Sequence, residues 1–198
     1  MTKYVVHGGK VLAAGDQGRA YFETLTAGFE KPRMLMCIFA QPEERWDEKY
    51  KYWTNHIDSV LSVKPSYELA QPDTVIEQMA RADIIWLYGG DVELLKARVS
   101  KIPDFRQALS KMPVVTGASA GALLLTKRVW SCDYRRIIDG LGLVPINTIV
   151  HYRSADYSSN HPKVPIDWDQ ADRELRAAVG PDAEITPLPE GTFKVYEA

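Results

Sequence analysis

The sequence predicts an α/β fold with three layers, in which a mostly parallel central sheet is covered by helices on both faces. Two observations predict it. Short apolar runs of strand length alternate with longer amphipathic runs of helix length over the first 120 residues. Runs such as MLMCIFA and DIIWLYGG also lack alternating polar residues, so the strands they form would have no face in water. Buried strands joined by helices are typical of parallel sheets.

The first 120 residues supply these elements in a regular order. The predicted strands are KYVVHG, PRMLMCIFA, PSYELA, DIIWLYGG and MPVVTGAS. The predicted helices are GRAYFETLTAGF, ERWDEKYKYWTNHIDSVL, TVIEQMARA, DVELLKARVS and PDFRQALSK. Asp73 is the expected N-cap of the third helix, because its carboxylate can accept hydrogen bonds from the first free N–H groups.

The second half of the chain is less regular. The runs YRRIIDGLGLVP and INTIVHY predict strands around a Gly-Leu-Gly turn, and DWDQADRELRAAVG predicts a helix that ends at Gly180. The last run, AEITPLPEGTFKVYEA, predicts a hairpin that turns at Glu190-Gly191. No repeat, linker or low-complexity tract interrupts residues 1–198, so we expect a single domain.

Composition excludes several classes of partner. The formal net charge is −2, without the basic excess that phosphate binding requires, so we expect no nucleic acid partner. No apolar stretch approaches the ~20 residues that cross a bilayer, and no secretory signal opens the chain, which favours a cytoplasmic protein without a membrane contact. Cys37 and Cys132 form no metal or disulfide pattern, and Cys37 is expected in the core.

One stretch, MPVVTGASAGALLLTK, differs from ordinary packing because it places a lone serine between two glycines at a strand-to-helix seam. In the pattern Gly-x-Ser-x-Gly, Gly117 and Gly121 relieve the crowding of a sharp turn that lifts Ser119 above the sheet edge. Free N–H groups at the start of the next helix favour an oxyanion there. The alternative is that Ser119 only caps this helix.

A serine hydroxyl needs a base, and histidine titrates in the useful range. The chain has four histidines. His56 lies in a charged helix and His161 in a polar loop, which favours surface positions for both. His151 ends the apolar strand INTIVHY and is the preferred base, while His7, after the first strand, is its competitor. A structural, hydrogen-bonded role is the alternative for either strand-end histidine.

Two glycines after the strand IIWLY offer a further part of such a site. A backbone N–H of Gly89-Gly90, together with that of Ala120, could bind the negative oxygen of a tetrahedral intermediate. The alternative is a tight turn before a helix capped by Asp91.

Three segments together resemble peptidase family S51, the dipeptidase E and cyanophycinase group. They are YGGDVELLK, GASAGALL and GLGLVPINTIVHY, in that order, and LPEGTFKVY resembles the closing hairpin of the family. The resemblance spans residues 80–196 and extends more loosely back to residue 4. It implies a fold like that of the class I glutamine amidotransferase domain.

Position by position, the resemblance implies that Ser119 is the nucleophile and His151 the general base. It implies an oxyanion hole from Gly90 with Ala120. The acid that orients the histidine would be Asp133, on the segment after the nucleophile helix, with Asp139 as the next candidate. The chemistry is acyl transfer to water, which requires no metal and no organic cofactor.

The resemblance implies a small exopeptidase of the dipeptidase E type, acting on Asp-X peptides, or a cyanophycinase-like enzyme. Both recognise a carboxylate near the scissile bond, which a guanidinium suits. Three arginines, Arg135, Arg136 and Arg153, lie close in sequence to the proposed acid and base. Gly89 and Asp91 are further substrate-binding candidates, and Asp91 stands where asparagine is common in the family. The loop from His151 to Pro165 is expected to form a pocket wall.

Two other functions fit the same scaffold. One is a non-catalytic binding or regulatory domain in which the serine is vestigial. The other is a hydrolase of a non-peptide amide or ester, whereas a glutaminase is disfavoured because serine stands where cysteine would be expected. The expected partner is a small peptide substrate, and a homodimer is possible.

Overall fold

The computed structural model describes residues 1–155, 157 and 165–198 and shows an α/β fold. The strands are β1 Lys3–His7, β2 Arg33–Cys37, β3 Ser66–Leu69, β4 Ile84–Leu87, β5 Val114–Ala118, β6 Arg128–Ser131, β7 Arg136–Asp139, β8 Asn147–Val150, β9 Ile185–Leu188 and β10 Phe193–Glu197. The helices are α1 Arg19–Thr26, α2 Trp46–Val60, α3 Val75–Arg81, α4 Val92–Val99, α5 Phe105–Leu109, α6 Ala120–Leu125 and α7 Trp168–Val179.

The larger sheet has the strand order β10-β1-β5-β4-β2-β3. Strand β10 runs antiparallel to β1, and the other neighbours are parallel. Right-handed crossovers place α1 and α2 on one face and α3, α4 and α5 on the other. The helix contacts agree, since α1 touches α2, α3 touches α5 and α4 touches α6. The predicted α/β fold, with helices on both faces of a mostly parallel sheet, is confirmed.

Burial explains why these runs form strands. Every residue of β4 is fully buried, from Ile84 to Leu87, and β5 is buried throughout its length. Such strands have no polar face because helices cover both sides. The order of the sheet puts β5 between β1 and β4, so the seam from β5 to α6 lies at the middle of the carboxyl edge.

A second, smaller sheet has the order β7-β6-β8-β9. Strand β7 is antiparallel to β6, and the remaining pairs are parallel. Helix α7 packs on β6, β7 and β8 around a cluster that includes Trp130, Ile149 and Leu175. The sequence did not predict β6, a strand of four residues, or a second sheet.

The end of the chain is not the predicted hairpin. Strand β9 pairs with β8 in the smaller sheet, whereas β10 pairs with β1 in the larger one. The turn at Glu190-Gly191 therefore joins two sheets instead of two paired strands. Pro187 lies on β9 at the edge of its sheet, where a residue without an N–H is tolerated.

Two further expectations about helix ends have different outcomes. Helix α3 starts at Val75 after Thr74, without a side-chain cap, so the prediction of Asp73 as its N-cap is wrong. Gly180 ends α7 with a φ of 96°, as expected from its sequence. Cys37 and Cys132 are both buried free thiols. In the described part of the chain, every helix is too short or too polar to cross a membrane.

Close backbone approach fixes the seam between β5 and α6. A Cβ at Gly121 would lie 2.0 Å from the carbonyl oxygen of Leu87 on β4, and one at Gly117 would lie 2.3 Å from the carbonyl carbon of Gly121. The helix therefore lies directly against the two central strands. Glycine is required at these positions because any side chain would push the helix away.

We expect Gly121→Ala to destabilise the fold by about 3 kcal/mol, because the added methyl group meets backbone that cannot move aside. Helix propensity alone predicts the opposite sign, since alanine is favoured over glycine by about 1 kcal/mol inside a helix. Denaturant unfolding measures the difference. Gly15→Ala is the control, because nothing lies within 4 Å of a Cβ at that position. Equal stability of the two variants would contradict the close approach.

Candidate active site

Ser119 follows β5 directly and takes a strained backbone conformation, with φ 51° and ψ −112°. Few L-residues adopt a positive φ, and such strain persists only where surrounding bonds hold it. Here the N–H of Ser119 donates to the carbonyl of His7 over 3.0 Å, and its own carbonyl accepts from Leu123 over 2.9 Å. The side chain makes no capping bond to α6. The serine is therefore presented by a sharp turn and does not serve as a simple N-cap.

The hydroxyl of Ser119 lies against the imidazole of His151, with 2.9 Å between Oγ and Nε2. His151 follows β8 and is buried, and it too has a positive φ, of 53°. Its N–H donates to the carbonyl of Gly8 over 2.8 Å. The two side chains come from different sheets and meet above the carboxyl edge.

The other ring nitrogen of His151 lies 2.8 Å from a carboxylate oxygen, Oε1 of Glu190. Oε2 of the same carboxylate accepts from Ser154 Oγ over 2.8 Å and pairs with Lys10 Nζ at 2.9 Å. A carboxylate at Nδ1 favours the tautomer with its proton there, which leaves the Nε2 lone pair for the serine hydroxyl. The three side chains form a line from carboxylate to imidazole to hydroxyl.

This contact differs from the predicted acid. Asp133 accepts a hydrogen bond from the hydroxyl of Tyr157 over 2.8 Å, and Asp139 accepts from Arg128 over 2.8 Å at an exposed position. Glu190 lies 39 residues after His151, on the turn that the sequence predicted to close a hairpin. Because that turn instead crosses between the sheets, its carboxylate reaches the imidazole. A signal was present, since LPEGTFKVY had been singled out, but only as a hairpin.

The loop after β1 supports the imidazole from beneath, a role that the sequence did not suggest. A Cβ at Gly9 would lie 2.1 Å from Cε1 of His151, and Gly9 has a φ of +103°. The carbonyl of Gly9 accepts from Gly191 over 3.0 Å, and the N–H of Gly8 donates to Thr192 over 2.9 Å. Two glycines thus let this loop contact both His151 and the turn that bears Glu190.

His7, the competing base, has a structural position instead. It is buried, and its Nδ1 accepts from the N–H of Gly9 over 3.0 Å. Its ring packs edge-on against Tyr21 and is stacked with Phe193. His56, which was expected on the surface, is half-buried and contacts the carbonyl of Gln17. His161 lies outside the described residues.

Burial and hydrogen bonding determine the protonation states of His151 and Glu190. Burial lowers the pKa of His151 below its ordinary value, although Glu190 acts in the opposite direction. Burial would raise the pKa of Glu190, but hydrogen bonds from Lys10, Ser154 and His151 outweigh it and hold this pKa below its usual value. At neutral pH the line therefore contains an ionised carboxylate and a neutral imidazole that can accept a proton.

The two glycines after β4 lie close to the serine. A Cβ at Gly89 would be 3.3 Å from the Cβ of Ser119, and one at Gly90 would be 2.3 Å from the carbonyl oxygen of Ala40. Within the described residues, the N–H groups of Gly90 and Ala120 have no hydrogen-bond acceptor. A ligand would therefore displace no described hydrogen bond from either N–H, while the oxyanion hole itself stays a prediction.

The other substrate-binding candidates have structural partners. Asp91 accepts from the N–H groups of Glu93 and Leu94 at the start of α4 and from the hydroxyl of Tyr134. This is the helix-capping role that the sequence offered as the alternative.

The three arginines also make contacts away from the serine. Arg153 pairs with Asp169 and Asp172, and Arg136 pairs with Glu93. Arg135 donates to the carbonyl of Pro165. These contacts do not assign a substrate-binding role to any of the three, so their predicted role stays untested.

Solved peptidase structures have the same fold. A peptidase from an acI-B1 Actinobacterium superposes with a TM-score of 0.67 at 19% identity, covering 99% of this chain and 83% of that one. A protein from Listeria monocytogenes EGD-e, named as a candidate Peptidase E, superposes with a TM-score of 0.66 at 13% identity, covering 99% and 97%. No protein-family model matches the chain, and no curated protein matches its sequence. At these identities the likeness establishes the fold alone.

Buried His7 predicts a pH-dependent stability. Burial lowers its pKa from 6.5 in the unfolded chain to about 4 in the folded one, and the nearby His151 acts in the same direction. The unfolded chain therefore takes up this proton first as the pH falls. The contribution of neutral His7 to the free energy of unfolding is therefore present above pH 6.5. Roughly 3 kcal/mol of it is lost as the pH falls towards 4.

Denaturant unfolding at pH 7 and pH 4 measures this loss. His7→Asn is expected to flatten the pH dependence while lowering stability at both pH values, because it removes the titrating ring together with its packing. His56→Asn, at a half-buried histidine of α2, is the control for the loss of an imidazole elsewhere in the fold. An unchanged slope in His7→Asn would show that another group titrates.

Proposed function

We propose that this protein is a serine hydrolase that cleaves peptide bonds through an acyl-enzyme on Ser119. The observation that carries the proposal is the line from Ser119 Oγ to His151 Nε2 over 2.9 Å and from His151 Nδ1 to Glu190 Oε1 over 2.8 Å. A serine hydroxyl, an imidazole and a carboxylate in this order are the parts that general-base activation of a serine requires.

The proposed reaction follows from the direction of these bonds. Ser119 Oγ attacks the carbonyl carbon of the substrate while its proton passes to Nε2 of His151. The imidazolium then gives this proton to the leaving amine, and water, activated by the same nitrogen, releases the acyl group. Glu190 remains ionised throughout, holds the proton on Nδ1 and stabilises the positive charge that develops on the ring.

The tetrahedral intermediate needs donors for its negative oxygen. We assign these to the N–H of Ala120, at the start of α6, and to the N–H of Gly90, and both lack an acceptor within the described part of the chain. The loss of one such donor typically costs about 3 kcal/mol of transition-state stabilisation. The close contact between Gly89 and Ser119 supports this assignment, because it brings the glycine turn next to the reacting oxygen.

The choice of a peptide substrate is supported by the two structures with the same fold, which are named as peptidases. Together with the resemblance of three segments to family S51, this favours membership of that group and a small exopeptidase of the Asp-X type. An Asp-X substrate would carry a carboxylate near the scissile bond, and we assign no side chain of this protein to bind it. The alternative of a vestigial site is disfavoured because serine, histidine and carboxylate are all in hydrogen-bonding contact.

A fluorophosphonate probe tests the nucleophile directly, since it phosphonylates only activated serines. We expect the wild-type protein to be labelled on Ser119, with the adduct located by mass mapping. Ser119→Ala should not be labelled, and His151→Ala should be labelled only slowly because its hydroxyl has no base. Folded wild-type protein that carries no adduct would exclude the proposed mechanism and favour a binding domain.

Glu190→Gln tests the acid that orients the histidine. An amide can bind Nδ1 in the wrong tautomer, so we expect the rate of labelling to fall roughly 10³- to 10⁴-fold. Glu184→Gln, on an exposed residue of the same segment, should label at the wild-type rate. A larger loss in Asp133→Asn than in Glu190→Gln would return the orienting role to Asp133.

A peptide panel tests the substrate class once labelling has succeeded. We expect free Asp-X dipeptides to be cleaved faster than Glu-X dipeptides, and N-terminally blocked peptides to be cleaved slowest. Mass spectrometry of the products gives the cleaved bond. Faster cleavage of blocked peptides, or of a simple ester with no peptide turnover, would replace the exopeptidase assignment by an endopeptidase or esterase.

A further inference from the structure

We propose that Tyr157 is a positioning residue whose ring covers a face of the His151 imidazole and is itself held in place by Asp133. The proposal rests on the function proposed above, because it concerns the same base. It gives Asp133 a role that differs from the one its sequence position predicted. Asp133 acts through a second side chain and does not contact Nδ1 in place of Glu190.

The ring of Tyr157 lies over the imidazole. The two ring centroids are 4.4 Å apart and the planes are inclined by 32°, which is a tilted stacking contact. The imidazole is also fixed at three of its ring atoms. Nε2 contacts Ser119, Nδ1 contacts Glu190, and Cε1 lies against Gly9. Tyr157 adds a contact to a face of the ring and so opposes rotation of the imidazole away from Ser119 and Glu190.

Asp133 anchors the tyrosine. Its Oδ1 accepts a hydrogen bond from the Tyr157 hydroxyl over 2.8 Å. Asp133 lies on the short connection between β6 and β7, which belong to the same sheet as the strand that leads to His151. Burial, with the charge of Asp133, raises the pKa of Tyr157, so the phenol stays protonated and remains a donor. The anchor is therefore present at all pH values where the base works.

Asp133 also acts on His151 through its charge, since it raises the pKa of the imidazole. Among the described residues, Glu190 also raises the pKa of this ring and Lys10 lowers it. His7 faces it as well and stays neutral through most of the working range. Burial opposes the charged imidazolium most strongly, and Tyr157 contributes to this burial.

These two effects predict opposite shifts. Removal of the Tyr157 ring admits water to the imidazole, so its pKa should rise. Removal of the Asp133 charge should lower the same pKa. A purely structural role for the pair, in which the segment only packs against the smaller sheet, predicts neither shift.

The chain contains a matched control. Tyr152 donates to Asp172 over 2.7 Å, as Tyr157 donates to Asp133, and both tyrosines pack against the cluster below α7. The Tyr152 ring packs edge-on against Trp168, whereas the Tyr157 ring lies over His151. Variants of this second pair should therefore reproduce losses of stability without affecting the base.

The first measurement is the rate of fluorophosphonate labelling as a function of pH. We expect Tyr157→Ala to be labelled roughly tenfold more slowly than Tyr152→Ala at the pH optimum. Tyr157→Phe keeps the ring but loses its hydrogen bond to Asp133, so its labelling rate should be about threefold below that of the wild type. On the acid side of the profile, the pH at which the labelling rate falls to half should be higher in Tyr157→Ala and lower in Asp133→Asn. In Asp172→Asn it should equal the wild-type value.

The second measurement is an NMR titration of His151 in the same variants, which requires no activity. Opposite pKa shifts in Tyr157→Ala and Asp133→Asn support the proposal. If Tyr157→Ala matches Tyr152→Ala in both labelling rate and His151 pKa, the proposal is wrong, although the serine hydrolase assignment stands. If wild-type protein is not labelled but the opposite shifts appear, the contact is supported and the proposed function fails.

Discussion

The hydrogen bond between Ser119 and His151 joins two sheets, and the rest of the site is arranged around it. The serine follows β5 of the larger sheet and the histidine follows β8 of the smaller one, 32 residues apart in the chain. A bond of 2.9 Å between such distant segments requires that both sheet edges are fixed to within a fraction of an ångström. The loop after β1 and the turn after β9 provide this precision, because each contacts the imidazole or its backbone.

The glycines near Ser119 and the glycine near His151 have different structural roles. Gly117 and Gly121 let α6 lie directly on the central strands, which sets the height of the serine above the sheet. Gly9 leaves room for the imidazole, since any side chain there would occupy the volume of the ring. Both Ser119 and His151 have a positive φ, which is strain that the surrounding hydrogen bonds must hold. The geometry of the site therefore depends on glycine at these positions as well as on the side chains of Ser119 and His151.

The sequence was sufficient for the α/β architecture and for the contact between Ser119 and His151. The apolar strand pattern and the pattern around Ser119 are local signals, and the position of His151 follows from its place at a strand end. The contact of Glu190 with His151 was not predicted because it depends on non-local pairing, in which β9 and β10 join strands of different sheets. No periodicity within AEITPLPEGTFKVYEA distinguishes that arrangement from a hairpin. The single-domain organisation and the oxyanion hole stay predictions.

The division of the site between two sheets has a consequence for incompletely folded chains. A chain in which only the larger sheet has formed would expose the serine turn, but its hydroxyl would have no imidazole within reach. Under the proposed mechanism, a serine without a base is a poor nucleophile, so such an intermediate would not react with neighbouring proteins. The proposed reactivity would then depend on docking of the smaller sheet, which carries His151.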